Sequence, residues 1–213
     1  GWLVRQSARL RFRGKMGLLL ILILLSTVLG NLYSGLQTRQ SIRDTIHHGL
    51  QDQVTAVHEL LQTTLTAHPD QFVALAHDIL KPLRWGNGSG YFFLTDRDGR
   101  LLVYPAKPER EGGFLDDVTV NETGLTATQS LAQVGSQQQA TLLHYPYVKP
   151  GDTRKTEKAV YVMPLGNYLL VSGVYMDAAD NAFQSYLINS AIMLAIILIV
   201  VLGMASTLSR AIA

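Results

Sequence analysis

The chain contains no cysteine. That excludes disulfides, thiolate metal ligands and a thiol nucleophile, and it leaves the folded part to be held by its own apolar core. Acidic residues are missing from both ends, since all 16 lie between positions 37 and 185. Two stretches, 17–36 and 186–208, have no Asp, Glu, Lys or Arg at all. The histidines (His47, His48, His58, His68, His77 and His144) have no convergent spacing with carboxylates on one element, so no metal site is expected. No serine, histidine and carboxylate set stands out as a triad. The glycines from Gly86 to Gly90 lack the lysine and hydroxyl of a phosphate loop. The expectation is therefore no enzyme and no cofactor.

What is present begins with those two uncharged stretches. A bilayer core takes about 20 apolar residues as helix, so both are long enough to span it. The first is too long for a signal-peptide core and has no small-x-small cleavage site. Arg5, Arg9, Arg11, Arg13 and Lys15 precede the first stretch and Arg210 follows the second, while the segment between them is net negative. The positive-inside rule then gives a cytoplasmic N-terminus at 1–16, a transmembrane helix at 17–36, an external domain at 37–185, a second transmembrane helix at 186–208 and a cytoplasmic end at 209–213. The overall charge of +2 is accordingly a topological signal and gives no reason to expect nucleic acid as a partner.

Past the first span, Ile42, Ile46, Leu50, Val54, Val57, Leu61 and Leu65 recur at steps of three and four. This predicts an amphipathic helix continuous with the membrane helix to about His68, with one stripe for its own domain and room for a second stripe toward a dimer partner. Pro69 restarts a shorter helix over Phe72, Leu75, Ala76 and Ile79, and Pro82 stops it. Strands are predicted at 91–95 and 101–104 around an Asp96 to Gly99 turn, and again at 140–148, 158–165 and 168–176. Between them, 105–122 is polar and turn-rich and reads as a surface excursion or lid, and 123–134 reads as a helix closed by Gly135. Asp177 caps a helix leading into the second span. Five strands joined mainly by hairpins, with helices gathered on the N-terminal side, predict an α+β fold with an antiparallel sheet.

The candidate site starts at Arg84 and Trp85, a cation and an indole ahead of the glycines of 86–90. An arginine fork suits a planar carboxylate, and glycines allow close backbone approach. The plainer reading pairs Arg84 with a surface carboxylate. Lys158 lies in an alternating strand pattern where a solvated face is the plainer reading, and Tyr91, Tyr104, Tyr145 and Tyr161 would serve equally as core aromatics.

In order along the chain, Arg84-Trp85-Gly86 with Gly90-Tyr91-Phe92-Phe93, Asp96 to Gly99, Tyr104-Pro105, Tyr145 to Gly151, Lys158 with Tyr161-Val162, and Gly173-Val174-Tyr175 resemble the single Cache sensor domains of bacterial methyl-accepting chemotaxis receptors. The end, Thr207 to Ala213, resembles the start of a HAMP linker. The resemblance implies a PAS-like antiparallel sheet after a long N-terminal helix, binding a small organic acid in the periplasm. It implies that Arg84, Tyr91, Tyr104 and Lys158 line the pocket, with Trp85 and Tyr145 beside them. Two positions depart from the pattern: Tyr104 stands where the family often has histidine, and Asn167 to Leu170 replace a tryptophan-rich turn. The expected protein is a two-pass inner-membrane chemoreceptor module, homodimeric, signalling through its second membrane helix. The alternatives are the input domain of a histidine kinase or diguanylate cyclase, or a docking module for a periplasmic binding protein.

Overall fold

A computed structural model describes residues 2–85, 90–149 and 151–211. Gly86 to Ser89 of the expected glycine loop, Pro150 of the expected 149–152 turn and the last two residues of the HAMP-like ending lie outside the described residues. The elements are α1 (Trp2–Ala67), a 3-10 turn (Pro69–Gln71), α2 (Phe72–Leu80), β1 (Arg84–Trp85), β2 (Gly90–Asp96), β3 (Leu101–Val103), a 3-10 turn (Pro108–Arg110), α3 (Ala127–Gln137), β4 (Thr141–Val148), β5 (Lys155–Leu165), β6 (Tyr168–Tyr175) and α4 (Asp177–Ala211). They divide into one unit of Gly1–Ser41 with Ala179–Ala213, and another of Ile42–Ala178.

The helical segments Ile21–Ala67, whose start lies in the first unit, and Asp180–Val200 each hold a window long and apolar enough to cross a membrane. At 1.5 Å per residue a bilayer core takes about 20 residues, fewer than the 47 of the first segment. Ile21, Ile23, Leu29, Ile192, Met193 and Ile199 are exposed, as suits side chains solvated by lipid. The two helices meet where Arg39 donates to Asp180 at 3.0 and 2.6 Å and lies over the Phe183 ring. Gly35 makes that approach possible, because a Cβ there would come within 2.9 Å of the Tyr186 ring.

The second unit is an antiparallel sheet in the order β1-β2-β6-β5-β4, with β3 on β2. One edge of β2 pairs with β6 from Tyr91 to Asp96, so β1 and β3 share the other edge. Local chemistry sets the β2–β3 turn: the Asp96 carboxylate accepts the amides of Asp98 (3.0 Å) and Arg100 (2.8 Å), and Gly99 takes a φ of 85°. Strand alternation then gives the sheet two faces. On one, Phe92, Leu94, Ala159, Leu170 and Met176 pack on Leu50, Val54 and Leu61 of α1 and on Phe72, Ala76 and Leu80 of α2. On the other, Tyr91, Phe93, Val160, Val162 and Val171 pack on Ala127, Leu131 and Val134 of α3 and on Leu115, Val118 and Val120. Full burial of such side chains contributes about 1.5 to 3 kcal/mol each, so both layers are substantial.

The fold differs from expectation in four places. A sixth strand exists, because Arg84 and Trp85 pair with Tyr91 and Gly90 instead of forming a loop. β5 begins at Lys155, whose partner is Val148, which lengthens the β4–β5 hairpin. The 105–122 excursion is anchored by three buried apolar side chains and by the amides of Val120 and Ala127, which donate to Leu125 and Val118. Finally, Gly135 does not close the third helix. α3 starts after a Thr126–Gln129 capping box, runs through Gly135 and ends against Gln138, which adopts a left-handed φ of 53°. Gly135 is needed for packing: a Cβ there would lie 2.4 Å from the Arg97 carbonyl oxygen.

Candidate functional site

The pairing register assembles the site. Tyr145, Lys158 and Tyr175 are direct partners across β4, β5 and β6, and one step away Tyr91 faces Gly173, which faces Val160. Direct partners share a face, so a lysine stands amid tyrosines on the side away from α1. Lys158 is only 1% exposed. Its ammonium donates to the Tyr91 hydroxyl at 2.8 Å and lies 4.0 Å from the centre of the same ring. It is also 5.4 Å from the Tyr175 ring and 5.5 Å from the Tyr147 ring. Gly173 supplies the room, since a Cβ there would fall 2.6 Å from the Lys158 Cε.

From Lys158 the hydrogen bonds run outward. The Tyr91 and Tyr104 hydroxyls are 3.1 Å apart, and Tyr104 donates to the Tyr147 oxygen at 3.2 Å. That oxygen also accepts from Lys107 Nζ at 3.3 Å and from Arg110 Nη1 at 3.2 Å. Arg110 is itself fixed by Asp117 at 2.6 Å and by the Phe114 carbonyl. Tyr145 is buried edge-on to Tyr147, and Tyr175 donates to the Val148 carbonyl at 2.9 Å. A phenol oxygen offers two lone pairs, yet three donors point at this one. The cluster has more donors than acceptors.

Its electrostatics follow from burial. Desolvation, reinforced by the Lys107 charge, pushes Lys158 down to about 7. Among the described residues no carboxylate pairs with it. Burial pushes the Tyr91, Tyr104 and Tyr145 hydroxyls up, so they stay neutral and able to donate. At the outer end, the hydrogen bond from Arg110 holds the Asp117 carboxyl below its ordinary range. Among the described residues no group of three or more His, Cys, Asp or Glu is arranged for a metal ion.

Of the residues singled out in the sequence, Tyr91, Tyr104, Tyr145 and Lys158 come together here. Arg84 is opposite Tyr91 in register but exposed, and its guanidinium donates to the carbonyls of Leu83 (2.8 Å) and Pro105 (3.2 Å). It sits at the rim. Trp85 goes to the helix-packed face, where its ring covers Gly90 and its Nε1 donates to Ser172 at 3.3 Å. Strand alternation separates the two neighbours that a loop would have kept together. Tyr147, Tyr175, Lys107 and Arg110 were not anticipated. The alternation Tyr145-x-Tyr147 is a usable signal for the first, whereas Lys107 and Arg110 carry none until the covering segment is folded.

A family model described as Cache domain matches residues 26–194. The chain belongs to the Cache family. Among the relatives of this Cache domain, the methyl-accepting chemotaxis protein McpP of Pseudomonas putida is 24% identical over 171 residues, covering 78% of this chain and 30% of that protein. The chain thus spans under a third of that relative's length. The Cache sheet is similar to a solved periplasmic sensor domain of a chemotaxis protein, with a TM-score of 0.54 and 23% identity over 63% of this chain and 96% of that one. It is likewise similar to the crystal structure of a methyl-accepting chemotaxis protein from Vibrio parahaemolyticus, with a TM-score of 0.52 and 25% identity over 68% of this chain and 99% of that one. The Cache domain described here is a sensor domain of the kind that chemotaxis receptors carry.

Proposed function

We propose that this Cache domain senses a small carboxylate outside the cell, with Lys158 as its anchor. The observation that carries the reading is the buried ammonium, surrounded by phenols and without a carboxylate among the described residues. A lone buried cation is costly, and an anion arriving from solution supplies the missing partner. One carboxylate oxygen accepts from Lys158 and Tyr91. Tyr104 and Tyr145 orient the rest, Lys107 and Arg110 face it from the covering segment, and Tyr147 faces it from β4. Arg84 holds that segment through Pro105 and is a positioning residue at the rim in this reading.

The route to the membrane starts beside the same lysine. The Tyr175 ring touches Lys158, its hydroxyl holds Val148, and the next residue, Lys149, donates to Asp177 in the first turn of α4. A ligand that repositions Lys158 therefore biases the start of α4 by no more than its differential affinity for the two arrangements. Cationic flanks on the two spans support placing 37–185 in the periplasm, with 17–36 and 186–208 as the spans. The reading includes a homodimer along α1, where Leu60 is exposed.

Calorimetry on the chain in detergent, with acetate, propionate, lactate and succinate as probes, tests this. At least one is expected to bind, and Lys158→Met to abolish it with little effect of Trp85→Phe. Equal binding by parent and Lys158→Met would overturn the assignment.

A further inference from the structure

A second polar cluster lies away from the lysine site. His47 of α1 and His144 of β4 bring their Nε2 atoms to 3.1 Å, with ring centres 5.1 Å apart. Glu122, from the segment between β3 and α3, takes both the Nδ1 of His144 and its backbone amide. The carbonyl of His144 accepts the Asn121 amide at 2.7 Å. His144 is thus clamped from one side and aimed at the long helix on the other. This contact adds a polar link to the apolar packing between α1 and the sheet.

The chemistry of such a pair is defined by proton count. With Glu122 accepting from Nδ1–H, neutral His144 presents a bare Nε2, and His47 donates its Nε2–H to it. One proton between the two nitrogens makes a bond. One added proton still leaves a bond, with His47 shifting its own proton to Nδ1, but protonation of both rings sets two N–H groups and two positive charges against each other at that separation. We propose that the His47–His144 pair is a proton-responsive brace between the long helix and the sheet, making external pH an input separate from any ligand at Lys158.

The charged surroundings agree in direction. Facing His47 are Arg43 and Asp44 on its own helix, His144 on β4 and Glu157 on β5, and Glu122 acts through His144. Arg43 is bonded to Glu157 at 3.1 and 3.2 Å, which tempers both charges. Burial, then His144 and Arg43, lower the basicity of His47 against the opposing pull of Asp44 and Glu157. A base weakened on folding contributes full stability above its ordinary value of 6.5 and loses it as pH falls toward the folded value. Glu122 is also held below its ordinary 4.5: burial works against this, and the bonds to His144 and its amide outweigh it. Its contribution persists above 4.5 and fades only below that, so the histidines open first.

Hydrogen exchange on the whole chain in detergent, corrected for intrinsic rates and compared at about pH 7.5 and 5.5, tests the brace across the fall of the histidine pair. Protection of α1 around His47 and of β4 is expected to drop about tenfold in the parent, equivalent to about 1.4 kcal/mol. His47→Gln and His144→Gln, which keep a polar group but cannot charge, are expected to remove most of that drop, and the control His68→Gln to leave it intact. Protection independent of pH in the parent, or a drop unchanged in both variants, overturns the proposal. Should a variant fail to fold, imidazole titration of the parent by NMR decides. Coupled curves with one midpoint depressed support the brace, and two independent curves near the ordinary value refute it.

Discussion

The buried lysine makes ligand affinity depend on pH in a calculable way. If the probe binds only the ammonium form, the free protein must first hold a proton on Lys158, whose value in the free state is about 7. An anion against the ammonium returns it toward the ordinary 10.5. The protonated fraction of free protein is then about 90% at pH 6 and about 10% at pH 8, so affinity weakens about tenfold between them, or about 1.4 kcal/mol. Calorimetry in buffers of different ionisation heat reads the same event directly, with about 0.1 proton taken up per ligand at pH 6 and about 0.9 at pH 8. Stability changes in the opposite sense. A lysine depressed on folding contributes most above 10.5, loses through the window below it and costs its full amount under about pH 7. The separation of 10.5 from about 7 corresponds to about 5 kcal/mol as an upper figure. Lys158→Met is therefore expected to raise the melting temperature of ligand-free protein while ending binding. Affinity flat from pH 6 to 8 with no buffer-dependent heat, or a Lys158→Met variant that melts lower and still binds, would refute the reasoning.

Other substitutions separate the parts of the site. Gly173→Ala pushes a methyl against Lys158 Cε, Val160 Cγ2 and the Ala159 carbonyl and is expected to weaken probe binding about tenfold or more, with about 1 to 3 kcal/mol lost in denaturant titration. Gly135→Ala meets the immobile Arg97 carbonyl instead, so a loss of about 1 to 3 kcal/mol in stability with unchanged affinity is expected. Tyr147→Phe removes the oxygen on which Tyr104, Lys107 and Arg110 converge; faster exchange of amides 105–118 should accompany weaker binding. Lys149→Met is expected to leave probe affinity within about twofold, as suits a group outside the pocket, yet to abolish any ligand-dependent change in exchange at the first turn of α4.

The parts of this fold legible in the sequence are those governed by neighbours along the chain. The Asp96 turn and its two strands follow from an aspartate that bonds amides two and four residues on, and the helical stripe from Ile42 to Leu65 follows from its period. β1 was illegible because a two-residue strand exists only through its partner, and the error carried Trp85 into the wrong group: alternation sends it to the opposite face from Arg84. Gly135 looked like a stop because glycine favours helix ends, but the Arg97 carbonyl, 38 positions earlier, decides its role. Tyr91, Tyr104, Tyr145 and Lys158, singled out through resemblance, cluster in the fold because register puts them on one side of the sheet. Lys107 and Arg110 were missed because their segment has no periodic pattern, and only the folded cover brings them to Tyr147.

The two faces of the sheet bear on how such a receptor diversifies. Residues on the lysine side of the sheet and residues that meet the helices alternate one by one along β2, β5 and β6, so drift at one set leaves the packing of the other largely untouched. A lineage can exchange Tyr91, Tyr104, Val160 or Gly173 and explore new chemicals while Phe92, Leu94, Ala159 and Leu170 keep the connection to α1 and α2 in place. Descendants of one ancestral gene would then share a common frame and differ in taste.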